Sequence, residues 1–269
     1  MKTILTIAGS DSCGGAGIQA DIKAISALGG YACSVITALT AQNTTKVAMS
    51  EGVSPTMLRS QIEAVFDDLN VDAVKTGMLF DTPQIETVAD CLEKYRPKFV
   101  VVDPVMISTS GSRLITEQAI ETVKKRIFPL ASVITPNISE AETLTGMKIT
   151  CLNDMLSAAR ALQAEGCSAV IVKGGHLKDE KGASTDLLLD SDGTAHYEHS
   201  PWVESKNTHG TGCTFSSALA TLLAQGADMP LAFAKAKEYI YNAIVAGKNL
   251  NIGHGHGPVH HFYKQQNLS

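Results

Sequence analysis

The chain has 269 residues, a formal net charge of −5 and 44% hydrophobic residues. The negative charge argues against a nucleic-acid-binding protein, and the composition is typical of a globular protein rather than a disordered or fibrous one. Its apolar runs are far shorter than the roughly 18 residues that suggest a membrane-spanning helix. We therefore expect one globular domain over residues 1–269, with neither a membrane nor a nucleic-acid partner.

Localisation is indicated by the first apolar run and by the cysteines. The run at residues 4–8 is too short for a secretory signal. The six cysteines include no Cys-x-x-Cys pair, so the sequence predicts neither a zinc site nor a thioredoxin-like site. We expect a cytoplasmic protein with mostly free thiols.

Taken in chain order, the apolar periodicity predicts strands that alternate with helices. The predicted parallel strands lie at residues 4–8, 31–39, 72–75, 98–103, 132–135 and 168–173. A helix is predicted to follow each of the first five strands, and a sixth helix precedes the last one. Ser54 is the expected N-cap of the second helix and Asn153 that of the sixth. An antiparallel pair at 185–189 and 194–198 and two C-terminal helices complete the prediction.

This alternation predicts a doubly wound α/β fold, in which a mostly parallel sheet carries helices on both faces. No repeat or low-complexity linker divides the chain. Ligands of such sheets bind at the carboxyl ends of the strands. The loops of interest are therefore 9–17, 103–111 together with 137–140, and 173–176.

A fourth candidate segment, residues 207–213, opens a helix. Gly210 and Gly212 let the backbone approach a ligand, and the helix start offers free N–H groups and a positive dipole end to an anion. With Lys173 and Lys206 as partners, the expected anion is a phosphate chain. The sequence contains no P-loop motif, and no Gly-x-Gly-x-x-Gly follows the first strand.

Cys213 lies in the first turn of that helix, where the dipole and nearby lysines are expected to lower its pKa below roughly 8.5. It is a candidate general base or nucleophile, and the alternative is a small residue that packs the helix. A cysteine hydrolase using Cys213 and His209 is a weaker hypothesis, because no third group is evident to orient the histidine.

Ordered motifs along nearly the whole chain closely resemble the bacterial hydroxymethylpyrimidine/phosphomethylpyrimidine kinase family of thiamine biosynthesis, within the ribokinase superfamily. They lie at 7–12 (IAGSDS), 14–21 (GGAGIQAD), 40–44 (TAQNT), 75–79 (KTGML), 103–106 (DPVM), 135–137 (TPN), 173–176 (KGGH), 206–213 (KNTHGTGC) and 257–261 (GPVHH). The resemblance implies a ribokinase-like fold and a homodimer.

It also implies ATP-dependent phosphorylation of the hydroxymethyl group of 4-amino-5-hydroxymethyl-2-methylpyrimidine, followed by phosphorylation of the monophosphate to the diphosphate. By motif, Cys213 is the catalytic base beside an anion hole of Gly210, Thr211 and Gly212. The positions matching the pyrimidine contacts are Gly9, Asp21, Gln42, Met78 and Val105. Those matching the nucleotide contacts are Lys173, Lys206, Thr208 and Asn137. Asp103 and Glu140 match positions around Mg²⁺, which prefers oxygen ligands.

Each of these residues also has an ordinary structural interpretation. Asp21 is equally well explained as a solvated carboxylate of the first helix, Gln42 as a turn residue and Asp103 as a cap. His254, His256, His260 and His261 near the end are interpreted as mobile surface residues rather than metal ligands.

Two rival functions stay open. The nearest is a pyridoxal/pyridoxine kinase on the same fold, because pyridoxal and the pyrimidine are both flat heteroaromatic alcohols. The other is a nucleotide-binding module without catalysis. The expected lid segment 107–111 departs from the family pattern, since Thr109 stands where many relatives have Lys.

Overall fold

The structure is a computed structural model and describes residues 1–106, 115–175 and 182–265. Its strands are β1 (Thr3–Asp11), β2 (Tyr31–Gln42), β3 (Val47–Gly52), β4 (Ala73–Thr76), β5 (Val100–Val102), β6 (Val133–Ile134), β7 (Ala169–Val172), β8 (Ala183–Leu189) and β9 (Ala195–Pro201). Its helices are α1 (Gly17–Ala27), α2 (Pro55–Asp68), α3 (Thr82–Tyr95), α4 (Glu117–Thr122), α5 (Ile138–Thr145), α6 (Leu152–Ala164), α7 (Thr211–Ala224) and α8 (Met229–Gly247). The whole expected lid segment, 107–111 with Thr109, lies outside the described residues, as does His176.

All nine of these strands form one sheet, in the order β3-β2-β1-β4-β5-β6-β7-β8-β9. The six central strands, β2-β1-β4-β5-β6-β7, pair in parallel. Strand β3 at one edge and strands β8 and β9 at the other pair with their neighbours in antiparallel. The predicted doubly wound, mostly parallel sheet is confirmed.

Strand β7 shows why the central strands read as continuous apolar runs. All four of its residues are buried, yet they face two different cores. Val170 and Val172 pack with helices α2 to α6 on one face, and Ala169 and Ile171 pack with α1, α7 and α8 on the other. Because both faces of the sheet are covered by helices, alternate positions are apolar on each side.

The structure corrects two details of the predicted elements. Strand β3 was not predicted, because its apolar and polar residues do not alternate and most of them are exposed at the sheet edge. Helix α6 begins at Leu152, with Cys151 rather than Asn153 as its N-cap. The Asp154 carboxylate accepts the backbone N–H groups of Thr150 and Cys151 at 2.9 and 3.2 Å, which places the start of the helix before Asn153.

The N-cap predicted for α2 is confirmed, since Ser54 Oγ accepts the N–H of Met57 at 3.2 Å. Helix α4 continues into a π-helical turn (Val123–Ile127) and a 3₁₀ turn (Phe128–Leu130). Across the three described stretches, no helix combines the length and the apolar character needed to cross a membrane.

Candidate active site

A cleft of about 1040 Å³ lies where the parallel strands end and where α7 begins. The cleft is lined by residues from the carboxyl ends of β1, β2 and β4, from the segments after β5, β6 and β7, and from the first turn of α7. All but two of the predicted site residues line it: Gly9, Gln42, Met78, Asp103, Val105, Asn137, Glu140, Lys173, Thr208, Gly210, Thr211, Gly212 and Cys213. The fold therefore gathers residues that are up to 204 positions apart in the sequence, from Gly9 to Cys213.

The first turn of α7 is built for close approach of the backbone. Gly210 is the N-cap and has a φ of 79°, a conformation that side chains rarely adopt. A Cβ at Gly210 would overlap the carbonyl oxygen of Gly15, and a Cβ at Gly212 would lie 3.2 Å from Nζ of Lys173. The glycines let the backbone of the helix start lie close to Lys173, which is an arrangement that suits an anion.

Lys173 and Asp103 form an ion pair within the cleft, with Nζ 2.9 Å from Oδ1. Both side chains are largely buried, and the Asp103 carboxylate also accepts the hydroxyl of Thr135 at 3.3 Å. Burial alone would lower the pKa of Lys173, but the negative charges of Asp103 and Glu140 outweigh it and leave this pKa raised. Lys173 is therefore a permanent positive charge beside the start of α7.

Asn137 and Glu140 begin helix α5 by bonding to each other. Asn137 Oδ1 accepts the N–H of Glu140 at 2.9 Å, and Glu140 Oε2 accepts the N–H of Asn137 at 2.8 Å. Burial is the main cause that raises the pKa of Glu140 to about 7. The negative charge of Asp103 also raises this pKa, and the positive charge of Lys173 only partly offsets the increase. Two carboxylates held close together in a buried corner are suited to a hard divalent cation, which would remove the repulsion between them.

Cys213 corrects one expectation about its chemistry. Burial raises the pKa of this thiol to about 11 instead of lowering it. The positive charge of Lys75 lowers the pKa of Cys213, as expected, but the negative charges of Asp21 and Asp103 raise it. The helix dipole and the lysines are thus outweighed by burial and by the two carboxylates.

Asp11 and His209 form a pair that the sequence analysis did not predict. His209 Nε2 lies 2.8 Å from Asp11 Oδ2, and it is 3.4 Å from the amide nitrogen of Gln42. The Asp11 carboxylate also accepts the backbone N–H groups of Cys13, Gly15 and Ala16 at 2.8 to 3.0 Å. These contacts hold the glycine-rich loop against the imidazole and place His209 beside Gln42 in the cleft.

The side chains of Asp11, Cys13 and His209 bring three potential metal-ligand atoms within 4.8 Å of one another. The Asp11 oxygens, however, are already occupied by four hydrogen bonds from the loop and from His209. A metal ion would have to displace these bonds, so the cluster is explained by loop structure. The contacts of His209 Nε2 with Asp11 and Gln42 likewise give no support to a hydrolase that pairs His209 with Cys213.

Two predicted residues are not brought into the cleft. Asp21 is completely buried on α1, where its oxygens lie 3.0 Å from Nζ of Lys75 and accept the hydroxyls of Thr6 and Ser217 at 2.6 and 2.7 Å. Lys206 is exposed and is not among the residues lining the cleft. The interpretation of Asp21 as a solvated carboxylate was wrong, since the residue is fully buried.

The expectation for the C-terminal histidines also needs correction at one position. His261 is 4% exposed, and its Nε2 lies 2.9 Å from the Thr214 hydroxyl on α7. His254 and His256 are exposed, as predicted. His261 is therefore a buried residue that fixes the end of the chain against the helix bearing Cys213.

The far side of the cleft contains residues that the sequence analysis missed. The side chains of Trp202 and Tyr241 line it beside a buried ion pair, in which Lys237 Nζ lies 2.9 Å from Asp186 Oδ2. Trp202 is the only tryptophan in the chain and is 38% exposed. The sequence signal that could have identified this side of the cleft is the single tryptophan, which lies just before the anion-binding segment 207–213.

Comparison with known sequences places the chain in a family. Residues 11–260 match the family described as phosphomethylpyrimidine kinase. A hydroxymethylpyrimidine/phosphomethylpyrimidine kinase from Escherichia coli is 45% identical over 98% of this chain and 99% of its own length. A thiamine biosynthesis bifunctional protein, ThiED, from Geobacter sulfurreducens is 51% identical over 99% of this chain, which spans only 53% of that relative.

Solved structures show the same fold. An ADP complex of pyridoxal kinase from Bacillus subtilis aligns with a TM-score of 0.91 at 35% identity and covers 99% of this chain and 100% of that one. A phosphomethylpyrimidine kinase from Clostridium difficile aligns with a TM-score of 0.79 at 44% identity, covering 91% of this chain and 100% of its own. The fold is thus shared by both kinds of kinase, while the sequence resembles the pyrimidine kinase more. With residues 11–260 matching one family and near-full-length relatives at 45% identity, the chain belongs to the phosphomethylpyrimidine kinase family.

Proposed function

We propose that this protein phosphorylates the hydroxymethyl group of 4-amino-5-hydroxymethyl-2-methylpyrimidine with ATP and then phosphorylates the monophosphate to the diphosphate, in thiamine biosynthesis. The observation that carries the proposal is the arrangement along the cleft. The anion-binding start of α7, with Lys173, lies next to the carboxylates Asp103 and Glu140. A site for a flat ring, lined by Gly9, Gln42 and Met78, adjoins it.

Phosphoryl transfer depends mainly on positioning and on neutralising charge. In the proposed mechanism, Gly210, Thr211 and Gly212 line the anion hole that holds the transferring phosphoryl group. The N–H of Thr211 donates to the carbonyl oxygen of Thr208 at 3.2 Å, so the N–H groups of Gly210 and Gly212 are the proposed donors. Lys173 neutralises charge on the nucleotide, while Asn137 and Thr208 contact it from the two sides of the cleft. Trp202 and Tyr241 extend the nucleotide site, whereas Lys206 is exposed and would reach the phosphates only from outside the cleft lining.

Asp103 and Glu140 would hold a Mg²⁺ ion, directly or through its water molecules. When bound, the ion would neutralise charge on the phosphate oxygens of ATP. A bound cation would counteract the raised pKa of Glu140, about 7, because a nearby positive charge favours the ionised carboxylate.

Gly9, Gln42, Met78 and Val105 form the proposed pyrimidine site. Met78 is 9% exposed, and a side chain at Gly9 would come within 2.6 Å of its Cε, so Gly9 leaves Met78 room beside the ring. Asp21 acts indirectly, through Lys75, rather than by contact with the substrate.

Cys213 is the proposed base for the attacking hydroxyl. Its raised pKa means that it is a thiol at neutral pH, so the thiolate forms only as the reaction proceeds. A loose transition state tolerates this, because the proton need not leave before the phosphoryl group begins to transfer.

Pyridoxal phosphorylation is the second candidate, favoured by the TM-score of 0.91 to a pyridoxal kinase. The test incubates the protein with Mg-ATP and either alcohol and follows the products by mass spectrometry. Successive pyrimidine monophosphate and diphosphate support the proposal, and pyridoxal phosphate alone would assign the second candidate. ATP binding without either product would indicate a nucleotide-binding module.

We further propose that the chain is a single ribokinase-like domain that works as a cytoplasmic homodimer. Strands β2 and β3 present the exposed apolar side chains of Tyr31, Leu39 and Met49 near one edge of the sheet. A partner chain would cover this surface, which is otherwise unfavourable in water. Sedimentation equilibrium tests this: we expect a dimer that Met49→Glu weakens, and a wild-type monomer would refute it.

A further inference from the structure

The amide of Gln42 lies between two polar groups whose protons can be assigned. Gln42 Oε1 is 3.2 Å from Oγ1 of Thr40, and Gln42 Nε2 is 3.4 Å from Nε2 of His209. His209 Nε2 also lies 2.8 Å from the Asp11 carboxylate. An ionised carboxylate only accepts hydrogen bonds, so Nε2 of His209 carries a proton.

Asp11 is ionised at neutral pH. Burial raises its pKa, but the hydrogen bonds from His209 and from the backbone of Ala16 and Cys13 outweigh burial and hold this pKa below its usual range. A donor therefore faces Gln42 on the His209 side.

Thr40 has only one hydroxyl proton. Its Oγ1 lies 2.9 Å from the carbonyl oxygen of Ser10, which can only accept, so this proton is donated to Ser10. Toward Gln42 the hydroxyl of Thr40 can then only accept a hydrogen bond. With the amide nitrogen of Gln42 on the His209 side, two donors face each other there, Gln42 Nε2 and His209 Nε2. At the other end two acceptors face each other, Gln42 Oε1 and Thr40 Oγ1.

A half-turn of the amide resolves both conflicts, because it exchanges the oxygen and the nitrogen without moving other atoms. We propose that Asp11 and His209 are positioning residues that hold the Gln42 amide oxygen toward His209 and the amide nitrogen toward Thr40, and so fix the hydrogen-bonding pattern offered to the substrate ring. The proton of His209 Nε2 is then shared between Asp11 and Gln42.

The fixed amide keeps one acceptor position on its oxygen and one donor on its nitrogen. This pattern is complementary to an aromatic amine beside a ring nitrogen, with the amino group on the His209 side. The hydroxymethyl carbon of the proposed substrate is attached next to the carbon that bears the amine, on the side away from this ring nitrogen. The same orientation therefore directs the hydroxyl toward His209 and the start of α7, where Cys213 lies. This step of the inference rests on the proposed function.

The orientation itself is tested in the free protein by NMR. We expect nitrogen shifts that show a proton on Nε2 of His209, and amide protons of Gln42 close to the methyl group of Thr40. Amide protons of Gln42 close to the imidazole ring protons would overturn the proposal. This measurement needs no turnover, so it is independent of the proposed function.

The effect on specificity is tested by calorimetric binding of the 4-amino substrate and its 4-oxo analogue, whose donor and acceptor positions are exchanged. We expect the wild type to prefer the amine, and His209→Leu to lower that preference at least about tenfold, since the released amide can turn to suit the analogue. His209→Gln keeps an N–H donor and should restore the preference to within about threefold.

His254→Leu is the matched control at an exposed histidine outside the cleft, and it should leave the preference unchanged. An unchanged preference in a folded His209→Leu protein would overturn the proposal. If the wild type binds neither pyrimidine, the proposed function fails, and the NMR result alone decides how Gln42 is oriented.

Discussion

Nζ of Lys75 lies 3.0 Å from both carboxylate oxygens of Asp21, and neither side chain is exposed at all. Burial alone would lower the pKa of Lys75, but the negative charges of Asp21 and Asp103 raise it above its usual range. Lys75 therefore stays positively charged below the cleft, and Asp21 balances its charge between the sheet and α1.

Replacing Asp21 with Asn should destabilise the protein strongly, because it leaves Lys75 buried without its counter-charge. We expect a loss of about 3 to 5 kcal/mol in the free energy of unfolding, measured in urea. Glu63→Gln is the control: it removes the exposed ion pair with Lys94 and should leave the free energy of unfolding nearly unchanged. A normal stability with a greatly raised KM for the pyrimidine would instead assign Asp21 to direct substrate contact.

Cys213→Ala should lower the rate of phosphoryl transfer by about 10²- to 10⁴-fold if the thiol is the general base. The KM for ATP should change little, since the phosphates are held by Lys173 and the start of α7. Single-turnover kinetics measure the chemical step directly. Cys151→Ser, at an exposed N-cap, is the control and should keep the wild-type rate. An equal loss of ATP binding in Cys213→Ala would mean that Cys213 serves the structure of the helix.

The raised pKa of Cys213 makes a separate prediction about its reactivity. At pH 7 almost none of this thiol is ionised, because its pKa is about 11, so iodoacetamide should modify it slowly. The rate should rise with each pH step up to about pH 10. Mass spectrometry of the peptide that contains Cys213 follows the modification. A rapid reaction at pH 7 that no longer depends on pH would show a lowered pKa and restore the original expectation.

Gly210→Ala should abolish phosphorylation, because the new Cβ would overlap the carbonyl oxygen of Gly15 and displace the anion-binding turn. Gly193→Ala is a well-matched control. Gly193 also has a positive φ, of 83°, but nothing lies within 4 Å of the position of its Cβ. The control should lose about 1 to 2 kcal/mol of stability from backbone strain and keep its activity. Equal activities in the two variants would show that the close contact is unimportant.

His261 should make the protein less stable in mild acid. Burial lowers its pKa from 6.5 to about 4, so between these values the unfolded chain binds a proton that the folded chain does not. Stability should therefore fall as the pH decreases from 6.5 to 4, by up to about 3 kcal/mol from this residue. Urea unfolding at several pH values, compared with His261→Gln, isolates the effect. Parallel curves for the two proteins would show that His261 does not contribute.

The central part of the fold could be predicted because β7 and its neighbours are apolar on both faces, and because Ser54 and the glycines of α7 mark the helix starts. Strand β3 could not be predicted, since an edge strand with exposed polar residues carries no periodic signal. Its pairing with β2 depends on the neighbouring strand and not on its own sequence.

The candidate site was predictable wherever a motif follows a strand, as with Asp103 and Lys173. The expectations of a solvated Asp21 and of a lowered pKa for Cys213 failed, because both depend on burial by residues distant in the sequence. Lys75 and Ser217, which surround Asp21, are 54 and 196 positions away from it. Single motifs do not indicate that a charge is enclosed on every side.

The mutual hydrogen bonds of Asn137 and Glu140 have a consequence for redesign of the cleft. The two side chains that face the proposed metal corner also start α5, so a substitution at either position alters folding and chemistry together. Anyone who wishes to change the alcohol that this kinase accepts should leave both residues intact. Met78 and Val105 line the cleft without polar side-chain bonds of their own, and libraries that vary them can change the shape of the site while the scaffold stays constant.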